Sequence, residues 1–251
     1  MITDSFDNQS PPITSREAIY GSPKNICDTC IITFSKKIFD NAVEKYSSRQ
    51  IAEISVCNGN IPVHLLEMDG KKIAFYLSGI GATMAGGFME EINWIIGARK
   101  FVVFGSAGSL DSVKTKGKYI VPTAAYRDEG MSYHYAPPSD YITIPKAAEV
   151  SCVMDDLKLP YVKGKCWTTD AFYRETQNQY KKRVAEGCIA VEMEMAGLQA
   201  VCDFYGMELY PFLMTGDVLQ EDSYHVADLA NANHALDNFA LAVKIALRIA
   251  S

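Results

Sequence analysis

Residues 72–81 read KIAFYLSGIG, and residues 100–109 read KFVVFGSAGS. Each is a short apolar run that stops at a cluster of glycine and serine. A run of that length with no polar alternation is a strand buried on both faces. The first strand, 72–78, is followed by apolar positions 85, 88, 92, 95 and 96, which share one face of a helix. The second, 100–104, is expected to close in a small-residue loop at 105–109. Further strands are expected at 119–126 and 162–168. Residues 190–191 lead into a helix with Met195, Leu198, Val201, Cys202 and Tyr205 on one side, and LYPFLMT at 209–215 is the next strand. Apolar positions 229, 232, 236, 239, 240, 243 and 247 predict one long C-terminal helix. Strands alternating with helices predict an α/β fold: a single domain with a central mixed, largely parallel twisted sheet flanked by helices. No repeat or linker-like shift in composition follows Pro23. The expected organisation is a polar N-terminal arm over 1–25 and one α/β domain over 26–251.

The chain has 251 residues, 48% hydrophobic and 22% charged. A chain of that length buries roughly three-quarters of its unfolded surface, which excludes disorder and small disulfide scaffolds. With 24 Lys and Arg against 30 Asp and Glu, the formal net charge is -6. No basic run tracks a polyanion, so nucleic acid is excluded as a partner. No apolar stretch approaches the roughly 20 residues that span a bilayer. The first thirteen residues are polar and acidic, unlike a secretory signal, and the seven cysteines are odd in number. These features predict a soluble cytoplasmic protein with reduced thiols. Cys27 and Cys30 have ligand spacing but no second pair and no near histidine, so no metal is expected.

Small or polar residues that packing does not require recur at the predicted carboxyl ends of strands, where open α/β sheets bind ligands. They are Ser78-Gly79-Ile80-Gly81, Gly105-Ser106-Ala107-Gly108, Thr168-Thr169-Asp170-Ala171-Phe172-Tyr173 and Thr215-Gly216-Asp217. A fifth group, Glu192-Met193-Glu194, puts two carboxylates where a strand meets a helix. A dinucleotide fingerprint fails at Gly79-Ile80-Gly81, because the third glycine position is Met84. A nucleophile elbow fails at Ser106, because position 104 is Phe. Ser106 is better suited to donate a hydrogen bond to an anion. Glu192 and Glu194 project in different directions whether extended or helical, so one orients while the other meets ligand.

Taken in order, these five groups resemble the nucleoside phosphorylase-I superfamily, which includes uridine and purine nucleoside phosphorylases and nucleosidases. The likeness runs from about Gly70 to the C-terminal helix, and 121–137 (VPTAAYRDEGMSYHYAP) is most similar to the uridine branch. Gly105-Ser106-Ala107-Gly108 and Asp217 look more like the purine enzymes. The resemblance implies that Glu194 bonds the ribose hydroxyls and Met193 packs under the sugar. It places Phe172 beside the base, with Ala107 and Gly108 lining the base pocket and Ser106 on phosphate. Asp217 matches the acid that bonds or protonates a purine nitrogen. Gly81, Tyr173, Arg174 and Glu192 complete the expected ribose and base site. Lys36, Lys37 and Arg127 are the cations placed to help hold phosphate. Among the histidines, His134 is the possible site residue; His64, His225 and His234 read as structural or exposed.

Breaking a C1′–N bond builds positive charge on the sugar and negative charge on the base, so carboxylates at one end and a proton donor at the other suit the reaction. The resemblance implies phosphorolysis of a nucleoside, uridine or purine, to free base and ribose 1-phosphate, with phosphate as co-substrate and no cofactor. The family's phosphate arginines, however, fall at Thr33-Phe34-Ser35-Lys36-Lys37, at Gly59 and at Val103 in this chain. That departure keeps two alternatives open, hydrolysis by a nucleosidase and binding without turnover. By resemblance the chain also pairs with itself, as a homodimer or a ring of dimers, through aromatics such as Tyr133 and Tyr135.

Overall fold

The computed structural model describes residues 1–57, 59–226 and 228–250. Eleven strands are present among them: β1 (Thr29–Thr33), β2 (Arg49–Ile54), β3 (Ile61–Met68), β4 (Lys71–Leu77), β5 (Lys100–Ser109), β6 (Tyr119–Asp128), β7 (Tyr141–Thr143), β8 (Tyr161–Thr169), β9 (Cys188–Glu192), β10 (Glu208–Leu219) and β11 (Tyr224–His225). The helices are α1 (Arg16–Tyr20), α2 (Lys36–Lys45), α3 (Ala82–Ile96), α4 (Ser112–Thr115), α5 (Ser132–Tyr135), α6 (Ala147–Asp156), α7 (Gln177–Ala185), α8 (Met195–Tyr205), α9 (Leu229–Asn233) and α10 (Leu236–Ile249). The fold is the expected α/β domain with a mixed sheet flanked by helices.

The strands follow the order β11-β10-β6-β8-β9-β5-β1-β4-β3-β2, with β7 on β6 and a further pairing of β10 with β5. That further pairing closes β5, β10, β6, β8 and β9 into a ring. β1 lies between β4 and β5, parallel to both, and all five of its residues are buried. Burial on both faces is why TCIIT carries no alternation. The core between sheet and helices is aromatic at its centre, with Phe104 stacked on Phe212 at 5.5 Å and 12°.

Three expectations change in detail. Gly105-Ser106-Ala107-Gly108-Ser109 is not a loop; it continues β5, because β10 runs parallel beside it from Lys100 to Ser109 and β9 pairs at Gly108 and Ser109. In the same way β10 runs on past Thr215 to Leu219. The predicted single C-terminal helix is two, α9 and α10. It breaks where His234 and Ala235 leave helical geometry, and there both Asn233 and His234 are held by serine side chains.

The N-terminal residues pack against α3. The Arg16 guanidinium lies 5.1 Å from the Trp94 ring centre and 4.8 Å from that of Tyr205. Trp94 Nε1 donates to Gly21 O at 2.8 Å. Tyr133 and Tyr135, expected as exposed contact aromatics, turn inward: Tyr133 donates to Arg127 O at 3.0 Å, and Tyr135 donates to Glu90. Cys27 and Cys30 are buried thiols, and Cys27 Sγ donates to the carbonyls of Thr29 and Lys72, each at 3.1 Å. Among the described residues no helix is long and apolar enough to cross a membrane.

Helix α3 begins at Gly81, whose φ of 95° suits glycine, and it packs closely on α8. A Cβ at Gly197 would lie 2.7 Å from Ala82 Cβ, an atom fixed by the backbone of α3. Gly197→Ala is therefore expected to force the two helices apart and to destabilise the protein by about 1–3 kcal/mol. Denaturant unfolding checks this; a variant as stable as wild type contradicts the tight packing.

Candidate active site

The ends of β1, β5, β9 and β10 open on one cavity of about 790 Å³. Its walls include Thr33, Ser35, Ser106, Ala107, Gly108, Phe172, Tyr173, Glu175, Glu192, Met193, Glu194, Asp217, Tyr224, Asn233 and His234. All five sequence groups thus meet around one space, Ile80 supplying the side chain of the first. That first group also acts through its backbone: Gly81 N–H donates to Glu194 Oε1 at 2.7 Å.

The two glutamates divide their work. Glu192 Oε2 accepts the N–H groups of Glu194 at 2.7 Å and Met195 at 2.8 Å, the first free donors of α8. Its Oε1 accepts from Thr168 Oγ1 and from Cys166 Sγ, and Thr168 Oγ1 accepts the N–H of Ala196 at 3.0 Å. Glu192 is an anchor, its lone pairs occupied by protein. Glu194 is also buried; its carboxyl accepts from Gly81 N–H at Oε1 and is met by the backbone N–H of Met193, which leaves acceptor capacity for a ligand. Burial first, and the neighbouring charge of Glu192 second, raise the Glu194 carboxyl above its ordinary range.

Asp217 is placed by an irregularity. The β10–β5 register slips between Thr215 and Asp217, so that Asp217 stands opposite Gly108. A Cβ at Gly108 would meet Leu219 Cδ1 at 2.6 Å, Val191 Cγ1 at 2.9 Å and Asp217 Oδ1 at 3.4 Å, so glycine leaves room for the carboxyl. Tyr224 donates to Asp217 Oδ2 at 2.7 Å. The acid is half-buried at the cavity wall rather than enclosed. Glu175, which the motifs did not single out, lines the same wall. Burial, and then the charge of Asp217, push its carboxyl up to about 7. The rings of Phe172 and Tyr173 lie with centres 4.0 Å apart, tilted by 36°, and both are exposed at the mouth.

The cations do not gather at the cavity. Lys36 is exposed and paired with Asp40 at 2.6 Å. Lys37 and Arg174 are exposed and outside the wall, as is His134. Arg127 is buried, and its guanidinium donates to Ser132 Oγ, Pro137 O, Ser139 Oγ and Ala136 O while lying 4.2 Å from the Tyr133 ring centre. Of the two cations expected to hold phosphate, Lys36 is exposed and paired with Asp40, and Arg127 spends its donors pinning 132–139. Ser106 does line the cavity, and its hydroxyl donates to Asn233 Oδ1. His234, expected to be structural, lines it too, with Nδ1 at 2.7 Å from Ser35 Oγ. Sequence spacing could not find Asn233 or His234, because they reach the site from a segment that carries no motif, and Glu175 lies just beyond the Phe172-Tyr173 motif. Among the described residues no group of three or more His, Cys, Asp or Glu is arranged to hold a metal.

The raised carboxyl of Glu194 makes stability depend on pH. The folded state keeps its proton to higher pH than the unfolded chain, whose glutamate titrates near 4.5, so stability falls as pH rises above that value. Glu192 and Glu175 shift in the same direction. Wild type is expected to lose melting temperature between about pH 5 and about pH 8, and Glu194→Gln, uncharged throughout, to lose less. Thermal scans across that range check the sign; a steeper loss in the variant contradicts it.

Comparison with known proteins agrees with this architecture. Residues 28–248 match the model of the phosphorylase superfamily. A DeoD-type purine nucleoside phosphorylase of Caldanaerobacter subterraneus subsp. tengcongensis is 27% identical over 189 residues, covering 72% of this chain and 77% of that protein. One of Aliivibrio fischeri is 26% identical over 186 residues, with the same coverage. Among solved structures, a futalosine hydrolase mutant of Helicobacter pylori superposes with a TM-score of 0.70 at 17% identity, over 89% of this chain and 100% of that one. An AMP nucleosidase of Bacteroides thetaiotaomicron superposes at 0.67 and 19%, over 89% of this chain and 88% of that one. With most of its length matched by the family model and its sheet, strand-end motifs and cavity arranged as described, this chain belongs to the phosphorylase superfamily.

Proposed function

We propose that this chain cleaves the N-glycosidic bond of a purine nucleoside and that water is the acceptor. The observation that carries the cleavage is the sharing of one cavity by Glu194, with acceptor capacity left for a sugar hydroxyl, and by the Asp217, Glu175 and Tyr224 group. Glu194, once ionised, stabilises the positive charge that builds on the ribose. A protonated carboxyl at the base neutralises the leaving group as the bond breaks. The purine assignment rests on Asp217 and on the names of the DeoD-type relatives.

The choice of water follows from charge. Phosphate sites use arginine forks or lysines, and the described residues that line this cavity include neither. The carboxyl side chains on the wall, Glu175, Glu192, Glu194, Asp217 and Glu221, offer an incoming anion no positive charge. The acceptor end, with Thr33, Ser35, Ser106, Asn233 and His234, offers neutral hydrogen-bonding groups and one imidazole, a set suited to water. Phosphorolysis is the second reading, favoured by the names of the relatives and by the place of Ser106.

Incubating the protein with adenosine, inosine and uridine, each with and without phosphate, and following free base tests both parts. Base release from the purine nucleosides at equal rates in both buffers is expected. A strict phosphate requirement reverses the choice of acceptor, and binding without release from any nucleoside overturns catalysis. Glu194→Ala is expected to lower kcat/KM by about 100-fold or more, as removal of a transition-state charge partner does.

A further inference from the structure

A hydrolytic site needs a group that takes a proton from water, and none of the sequence motifs supplies one at the acceptor end. The carboxylates are engaged elsewhere: Glu192 anchors α8, Glu194 is held by Gly81, and Glu175 and Asp217 share one wall with Tyr224. Thr33, Ser35, Ser106 and Asn233 have no basic group near neutral pH. His234 is the titratable side chain that remains there.

Its position is built rather than incidental. His234 follows α9, and its Nδ1 stands 2.7 Å from Ser35 Oγ. Ser35 is buried at the N-cap of α2, where its hydroxyl oxygen accepts the N–H of Ile38 at 3.3 Å. The preceding residue, Asn233, accepts a hydrogen bond from Ser106 at the end of β5. The histidine is therefore tied to two strand ends, beyond β1 and within β5, and the break between α9 and α10 falls at the same point.

We propose that His234, oriented by Ser35, is the general base of the hydrolytic reaction. This rests on the reading that water is the acceptor. With Nδ1–H donating to Ser35 Oγ, the Nε2 lone pair is left to receive a proton. The water oxygen bonds to C1′ as the C1′–N bond breaks, and the water proton passes to Nε2. The electron pair of the broken bond leaves on the base, which takes a proton from the Glu175 carboxyl. The products are the free base and the free pentose, and both protein sites return to rest by exchanging protons with solvent. Ser35 is a positioning residue in this scheme and His234 a catalytic one.

Purine nucleoside hydrolysis is measured in phosphate-free buffer for wild type, His234→Ala and Ser35→Ala, with adenine binding and melting temperature followed for each. His234→Ala is expected to lose about 100-fold to 10,000-fold in kcat with KM changed by less than about fivefold, and adenine to bind as in wild type. Added imidazole is expected to restore part of the lost rate in His234→Ala. Ser35→Ala is expected to lose less kcat, because the imidazole remains but its tautomer is no longer held. Hydrolysis that continues at the wild-type rate in His234→Ala overturns the role of His234 and leaves water as the acceptor. Wild-type turnover that requires phosphate overturns the acceptor itself, and with it the need for a base.

Discussion

The parallel pairing of β10 with β5 is the constraint on which the rest of the site depends. It closes five strands into a ring, and it draws the glycine and serine residues of β5 into regular strand structure. Its register slip then sets the carboxyl of Asp217 beside Gly108, on the same wall as Val191 and the glutamates that follow it. Small residues at 105–109 are needed for this closeness. At Gly108 a single added carbon would collide with Leu219 and Val191, and at Gly216 it would approach Leu229 and Ser106.

Charge is distributed in the same economical way. Glu192 sits at the amino end of α8 with both oxygens occupied, which fixes the turn from which Glu194 projects. The cost of burying two acids side by side appears as a raised carboxyl at Glu194, a group held ready for a partner that the protein does not provide. The acidity of the whole chain, -6 by formal count, is repeated inside the cavity, where five acidic side chains line the walls.

Much of the fold was legible because strand ends and helix starts are local. KIAFYLS and KFVVF announce buried strands by their lack of alternation; KFVVF lies within β5, and KIAFYLS lies within β4 up to Leu77. The strand-end motifs also announced part of the cavity wall, since Ser106, Ala107, Gly108, Phe172, Glu194 and Asp217 all reach it. Arg127 shows the limit of that reasoning. Its neighbours in the sequence suggested a phosphate ligand, yet the chain folds 132–139 back over the guanidinium and uses its donors for backbone and serine oxygens. Nothing local distinguishes an arginine that waits for an anion from one that holds a loop.

The sequence by itself determined the α/β class, the small-residue strand ends and the shortage of cations for phosphate, because each follows from residue type and short-range periodicity. Tertiary structure alone decided that Gly105–Ser109 is strand rather than loop, that the C-terminal helix breaks before Ala235, and that Glu175, Asn233 and His234 join the cavity. These depend on partners far away in the chain, such as β10 beside β5 and Ser35 facing His234 across 199 positions. A contact of that range leaves no period and no spacing for a sequence to display.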